Sequence, residues 1–169
     1  LEGFNERARQ RAQPELEIGI GANTGPVVLG TVGAHNRIQC SVLGDTVNLA
    51  SRIEQLTKVY RARFLVGEHT VKALESPGAF ELRLVDRVAV KGRNEAVEIH
   101  EVLDAESPRR RDAKLATRPF LAAAMESYMA RRFDEALVAF EDVRTRDPED
   151  AVPTVFLERC RRYLREPPA

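Results

Sequence analysis

Apolar side chains recur at regular spacing through the first forty residues. The opening stretch, LEGFNERARQRAQPE, has the pattern of the last turns of a helix, which Pro14 ends because proline cannot continue the hydrogen-bond ladder. A natural domain rarely starts inside a helix, so we expect the chain to be a piece of a longer protein. ELEIGIGAN then places apolar residues at every second position, which predicts a strand. PVVLGTV predicts a returning strand, and RIQCSVLG a third short strand.

Residues 45 to about 59 have the pattern of an amphipathic helix. Asp45 is the predicted N-cap, because its carboxylate can accept hydrogen bonds from the first backbone N–H groups of the helix. Asn48 and Arg52 stand four residues apart, so they lie one above the other and off the apolar stripe. The residues of that stripe are Val47, Ala50, Ile53 and Leu56, widened by Leu49 and Tyr60.

The pattern up to residue 103 predicts a mixed fold. RARFLVG reads as a short strand, and EHTVKALES as a short helix ended by Pro77 and Gly78. FELRLVDRVAVKG and EAVEIHEVL predict a hairpin joined by GRNE. The order β-β-β-α-β-α-β-β predicts an α+β fold, with helices on one face of a largely antiparallel sheet.

The composition changes after residue 103. Residues 104–116 are polar and charged with almost nothing to bury, which predicts a linker or a solvated helix. Residues 117–169 carry apolar positions at helical spacing in three segments, with breaks at Arg131–Arg132 and Asp147–Pro148. We therefore divide the chain into a unit of residues 1–103, a polar linker of residues 104–116 and a small all-α tail of residues 117–169.

Composition and charge exclude several classes of protein. The chain has 169 residues, with 43% hydrophobic and 31% charged, which is typical of a globular protein. Lys plus Arg and Asp plus Glu both total 26, and no Trp is present, so a nucleic-acid partner is not expected. Cys40 and Cys160 are too few for a disulfide framework. No apolar run approaches the roughly 20 residues that cross a bilayer, so we predict a cytoplasmic chain without a membrane segment.

Two interpretations of Asn48 and Arg52 are open from the residues alone. Both side chains can belong to the solvated face of an ordinary helix. Alternatively, an amide and a planar cation suit a nucleoside triphosphate, since Asn can orient a sugar and Arg can bind a phosphate bidentately. Lys91 at a strand end allows the same two interpretations. GIGANTG is neither a P-loop nor a dinucleotide-binding fingerprint, because its spacing differs and a strand follows it.

Three segments resemble the C-terminal part of a class III nucleotidyl cyclase catalytic domain. They are LEIGIGANTGPVVLGTVG, SVLGDTVNLASRIEQL and VAVKGRNEAVEIHEV, and they lie in order between about Leu16 and Leu103. The resemblance implies a ferredoxin-like core and a head-to-tail homodimer with active sites at the interface. It also implies the conversion of ATP to cyclic AMP and pyrophosphate, by attack of the ribose 3′-hydroxyl on the α-phosphate.

The resemblance assigns four residues of this sequence to the site. Asn48 matches the residue that orients the ribose, and Arg52 the residue that stabilises charge on the α-phosphate in the transition state. Lys91 matches the residue that contacts the terminal phosphates. Ser41 matches the position that reads the purine edge, and a serine there favours ATP over GTP.

The family also uses Mg²⁺ or Mn²⁺ held by two aspartates, and no segment of this sequence matches those metal ligands. We therefore expect the chain by itself to be inactive and to carry one half of a shared site. The alternative is a non-catalytic pseudo-cyclase or a helical protein-interaction module. Retention of Asn48, Arg52 and Lys91 together favours the enzyme.

The tail resembles a degenerate tetratricopeptide helix pair. Ala136, Phe140 and Pro148 match its small, aromatic and terminal-proline positions, and Phe133 suits the aromatic position at the start of the second helix. Such a single unit more often caps its own domain than binds a peptide, although the tail is also a candidate for protein contacts. The whole arrangement resembles bacterial adenylyl cyclases with upstream sensors, so the full-length protein is a candidate for membrane anchoring with this part on the cytoplasmic side.

Overall fold

The computed structural model describes residues 2–14, 16–34, 37–89 and 96–167. Six strands and six α-helices are present in these ranges, with short 3₁₀ turns at Pro77–Ala79 and Leu103–Ala105. The strands are β1 (Ile20–Ala22), β2 (Val28–Ala34), β3 (Arg37–Leu43), β4 (Phe64–Gly67), β5 (Leu82–Ala89) and β6 (Ala96–Val102). The helices are α1 (Glu2–Gln10), α2 (Asp45–Tyr60), α3 (Glu68–Lys72), α4 (Pro108–Met129), α5 (Phe133–Arg146) and α6 (Ala151–Arg165).

A four-stranded sheet in the order β1-β4-β6-β5 forms the centre of the fold. β1 and β4 are parallel, whereas β4 with β6 and β5 with β6 are antiparallel. The mixed, largely antiparallel α+β architecture predicted from the sequence is thus confirmed. The predicted pairing of the last two strands is confirmed as well, while the GRNE turn lies outside the described residues.

The predicted pairing at the N-terminal end is wrong. β1 is short, and Leu16 and Ile18 precede it with about half of their surface exposed. β1 does not pair with the following strand; β2 pairs with β3 in a separate two-stranded ribbon. Parallel strands require a crossover, and α2 supplies it between β1 and β4. The close packing of α2 against β1 therefore determines that β1 pairs with β4.

Gly21 permits this close packing of α2 against β1, because glycine has no side chain. A Cβ built on Gly21 would lie 2.2 Å from the backbone nitrogen of Glu54 and 2.6 Å from the carbonyl oxygen of Ala50. Both neighbours are backbone atoms of α2 and cannot rotate away. A glycine in a strand often marks such a close approach between two backbones.

A β-bulge interrupts the pairing of β5 with β6. Leu84 pairs with His100 and Asp86 with Ile99, so Val85 is the extra residue. Side chains in a regular strand alternate between faces, and one extra residue reverses that alternation. Arg83 and Asp86 consequently lie on the same face of the sheet, although they are three residues apart.

The tail is helical, with the breaks predicted at 131–132 and 147–148 confirmed. The stretch predicted as a linker or solvated helix lies largely in α4, which starts at Pro108 and continues through Pro119. Lys114 of this stretch is nevertheless buried, and its ammonium donates to Glu101 at 2.5 Å and to Glu106 at 2.7 Å.

The tail and the sheet share one hydrophobic core. Buried residues of the tail helices include Leu121, Met125, Phe140, Phe156 and Leu157. They form one cluster with residues of the sheet and α2, such as Ile53, Leu65, Val85, Val97 and Ile99. Burial of these side chains is the dominant favourable contribution to folding of the described chain.

Within the described ranges, no helix combines the length and the apolar character that crossing a membrane requires.

Candidate active site

The candidate site is built on α2 and on the turn that precedes it. Gly44 is the N-cap of α2 and has a φ of 143°, a conformation that only glycine adopts easily. Its carbonyl oxygen accepts from the backbone N–H groups of Val47 at 3.1 Å and Asn48 at 3.2 Å. The prediction of Asp45 as the N-cap is wrong, since Asp45 is the first helical residue and its charge acts on the helix dipole instead.

Helix α2 buries one side against the sheet. Its buried residues are Leu49, Ile53, Thr57 and Tyr60, which follow one another at spacings of three and four. Ile53 and Tyr60 were predicted to face the core and do so, while Val47, Ala50 and Leu56 are only partly buried. The buried stripe is thus rotated slightly from the predicted one. Asn48 and Arg52 are exposed, in agreement with their predicted position off the stripe.

Arg52 reaches from α2 to the end of β5. Its Nη1 donates to the carbonyl oxygen of Ala89 at 2.8 Å, and Ala89 is the last residue of that strand. Lys91 follows two positions later in the sequence and lies outside the described residues. The structure therefore brings Arg52 to the strand end that precedes Lys91, and it leaves the placement of Lys91 as a prediction.

Ser41 lies on β3, where it pairs in register with Gly30 of β2. It is half-buried, and only Gly44 separates the end of β3 from the start of α2. Thr46 fixes this junction, because its hydroxyl donates to the carbonyl oxygen of Pro26 at 2.7 Å. Ser41, Asn48 and Arg52 accordingly belong to one continuous strand–turn–helix unit.

Neither of two cavities in the described part of the chain is lined by Ser41, Asn48 or Arg52. A cavity of about 60 Å³ lies beside the start of α2 and is lined by Asn23, Thr46 and neighbouring residues. That volume is far below the roughly 300 Å³ of a small-molecule site. A larger groove of about 390 Å³ lies between β5 and α4, and neither Asn48 nor Arg52 lines it. The exposure of Asn48 and Arg52 makes this part of the candidate site an open surface in the described chain.

Metal ligands were also sought among the described residues. In that part of the chain, no three His, Cys, Asp or Glu side chains come together in a group that could hold a metal ion. The described residues thus offer no such group for the Mg²⁺ or Mn²⁺ that the cyclase resemblance implies.

Comparison with known proteins decides the family. The family model of the adenylate and guanylate cyclase catalytic domain matches residues 2–103. The chain belongs to this family. Its match begins in α1, somewhat before the motifs that carry the resemblance in sequence, and ends where the tail begins.

Individual cyclases support the assignment. The terminal-differentiation-specific adenylate cyclase of Dictyostelium discoideum is 41% identical over 146 residues, which cover 86% of this chain and 7% of that protein. The adenylate cyclase of Anabaena cylindrica is 49% identical over 107 residues, covering 60% of this chain and 21% of that protein. The crystal structure of the adenylyl cyclase CyaB from P. aeruginosa matches with a TM-score of 0.52 and 29% identity, over 64% of this chain and 53% of that chain.

These matches differ in how far they extend. The chain spans about a fifth or less of the length of the two relatives, so the activity of a whole cyclase is not itself established for it. The similarity to the Dictyostelium protein covers more of the chain than the family model does. It must therefore include part of the helical tail.

Proposed function

We propose that this chain supplies the ribose and α-phosphate contacts of an adenylyl cyclase site that is completed by a second protomer. One observation carries the proposal: Asn48 and Arg52 lie one turn apart on the exposed face of a helix whose other face is buried. Membership of the cyclase family supports these roles, because the segment that carries both residues resembles a motif of that family. The substrate proposed is ATP, on the basis of Ser41.

The proposed division of work follows from the chemistry of phosphoryl transfer. Such reactions are catalysed mainly by positioning and by electrostatic stabilisation of the phosphoryl oxygens. Asn48 would orient the ribose through its amide, so that the 3′-hydroxyl faces the α-phosphate. Arg52 would donate N–H groups to the α-phosphate as negative charge develops there. Lys91 would hold the terminal phosphates as a point charge.

A second protomer is part of the proposal because the site is open on this chain. The β2–β3 ribbon exposes large apolar side chains next to the start of α2, which is typical of a surface that contacts another protein. The exposed fractions are 65% for Val28, 76% for Leu29 and 54% for Leu43. We propose that a second cyclase domain covers this surface and brings the metal-binding residues to Asn48 and Arg52.

Complementation tests the proposal. The full 169-residue chain is mixed with a cyclase protomer that keeps its metal aspartates but has its own matching Asn and Arg replaced. We expect cyclic AMP from the mixture and none from either component alone. Arg52→Ala should reduce the rate by about 10³-fold or more, since an arginine on a transferring phosphoryl group contributes that much in related reactions.

The control is Arg144→Ala, which removes an arginine of similar exposure that pairs with Glu141 on α5. It should complement like the wild type. Equal activity of Arg52→Ala and wild type would reject the role of Arg52. A wild-type mixture that makes no cyclic AMP would favour the non-catalytic alternative, and greater activity with GTP than with ATP would reject the role given to Ser41.

A further inference from the structure

Helix α6 is attached to the central sheet by two ion pairs of opposite polarity. Near its start, Asp150 accepts from Arg83 of β5 at 2.6 and 3.0 Å. Nine residues later, Arg159 donates to Asp86 of the same strand at 3.0 Å. A helix rises about 1.5 Å per residue, so the two attachments are separated by about 13 Å along α6. Reversing the helix would place like charges together, and sliding it would separate both pairs.

The bulge at Val85 makes both attachments possible. Without the extra residue, Arg83 and Asp86 would face opposite sides of the sheet. Both side chains are instead almost completely buried beneath the tail. Burial alone would raise the pKa of Asp150, but its hydrogen bonds with Arg83 lower the pKa below the ordinary value. The Asp150 carboxylate is therefore charged at neutral pH.

The second attachment also includes α2. The hydroxyl of Tyr60, the last residue of α2, donates to Asp86 at 2.5 Å and accepts from Arg159 at 3.0 Å. Burial and the adjacent Asp86 carboxylate raise the pKa of Tyr60, so the phenol keeps the proton that it donates. Three elements, α2, β5 and α6, meet in this cluster of Tyr60, Asp86 and Arg159.

Two of these elements, α2 and β5, also hold Arg52. Helix α2 carries Arg52 two turns before Tyr60, and β5 provides the Ala89 carbonyl that accepts from Arg52 three residues after Asp86. A shift of α2 relative to β5 would therefore move the Arg52 guanidinium and its acceptor apart. Arg159 of α6 donates hydrogen bonds to both elements at once.

We propose that Arg159 is a positioning residue for the cyclase site: the helical tail fixes α2 against β5 and thereby holds Arg52 in place. This inference rests on the proposed function only for its effect on catalysis. The extent of the match to the Dictyostelium cyclase, which includes part of the tail, is consistent with a tail that belongs to the catalytic unit.

Amide hydrogen exchange on the full chain tests the structural part. In Arg159→Ala, exchange in the second half of α2 and in the last residues of β5 should become about tenfold faster. Exchange in α5 should stay within about twofold, because the hydrogen bonds of Tyr60, Asp86 and Arg159 described above join α2, β5 and α6. Arg161→Ala is the matched control, since Arg161 lies on the same helix but donates to Glu141 of α5 at 3.0 Å. It should leave α2 unchanged.

Two milder variants keep the test decisive if Arg159→Ala fails to fold. Tyr60→Phe removes only the α2 arm of the cluster, and it should accelerate exchange in α2 while the contact between Asp86 and Arg159 persists. Arg159→Lys should rescue part of the effect, because one ammonium can reach Asp86 but lacks the fork that also reaches Tyr60. Uniform acceleration of α2 and α5, or no acceleration in α2, would overturn the proposal.

Complementation tests the catalytic part. Arg159→Ala should lower kcat about tenfold and change KM for ATP less, because Arg52 is proposed to act in the transition state. An unchanged kcat would overturn the positioning role. If the wild-type chain does not complement at all, the proposed function fails, while the exchange experiment still decides whether Arg159 holds α2 against β5.

Discussion

Arg52 is held by a backbone carbonyl rather than by a carboxylate. The Ala89 oxygen occupies one of the five N–H donors of the guanidinium and does not neutralise its charge. Among the described residues, no Asp or Glu pairs with Arg52. The side chain is thus restrained in position yet keeps both charge and donors for a phosphate.

His100 is a second residue whose surroundings have a measurable consequence. It lies on β6, with its Nε2 3.3 Å from Oε2 of Glu98. Burial lowers the pKa of His100 below its ordinary value, although Glu98 and Glu68 oppose that shift. His100 therefore binds a proton more readily in the unfolded chain than in the folded chain as the pH falls below about 6.5.

We therefore predict a pH-dependent stability that His100 partly controls. Its contribution is complete above about pH 6.5 and is lost as the pH falls through the lower, folded-state pKa. Between about pH 7.5 and 5.5, the urea midpoint should fall more for the wild type than for His100→Gln. Identical changes in the two proteins would contradict the prediction.

At the scale of elements, the sequence specified individual helices and strands better than their partners. The helical spacing of α2 and the alternation of β5 and β6 are local patterns, so they could be predicted from the residues. The parallel pairing of β1 with β4 could not, because it depends on a backbone contact between Gly21 and a helix some thirty residues later. Gly21 is the local signal of this contact, because a glycine inside a strand often marks a close backbone approach.

Gly21→Ala tests how much this contact matters. The added methyl group would overlap backbone atoms of α2, so we expect a loss of about 1–3 kcal/mol in the free energy of unfolding. Gly30→Ala is the control, because a Cβ there meets no atom within 4 Å. It should change the free energy by no more than about 0.5 kcal/mol. Equal urea denaturation curves for the two variants would refute the close packing of α2 against β1.

In the candidate site, too, the local motif could be predicted from the sequence but its long-range contacts could not. The motif around Asn48 and Arg52 could be recognised within ten residues of sequence. The acceptor of Arg52 lies 37 residues away, and Arg159 lies 99 residues from Tyr60. Nothing in the spacing of residues along the chain indicates such contacts. The burial of Lys114 in the polar stretch before the tail could not be predicted either. It depends on ion pairs with Glu101 and Glu106, which compensate its buried charge.

At the scale of the whole molecule, the helical tail and the cyclase-family residues fold around common buried groups. The division into two units with a linker stays a prediction, and the shared core and the ion pairs favour a single cooperative unit. Without residues 104–169, Arg83 would lose Asp150 and Glu101 would lose Lys114. Breaking a buried ion pair by removing one partner typically costs about 3–5 kcal/mol.

A chain that ends at residue 103 should therefore fail to fold cooperatively. We expect it to aggregate or to show a broad, low-midpoint urea transition by circular dichroism, because the apolar face beneath the tail would be exposed. A chain that ends at Arg165, the last residue of α6, is the control and should behave like the full chain. A sharp transition for residues 1–103 at the full chain's midpoint would show that the tail is dispensable.

The bulge at Val85 has a consequence for how the sequence of this protein can evolve. Substitutions along β5 alter one contact each, whereas losing or gaining a single residue there would turn every later side chain of the strand to the opposite face. Asp86 would leave Tyr60 and Arg159, and Arg87 would leave Glu98, in one event. The length of this strand is accordingly expected to be more strictly inherited than the identity of most residues in it.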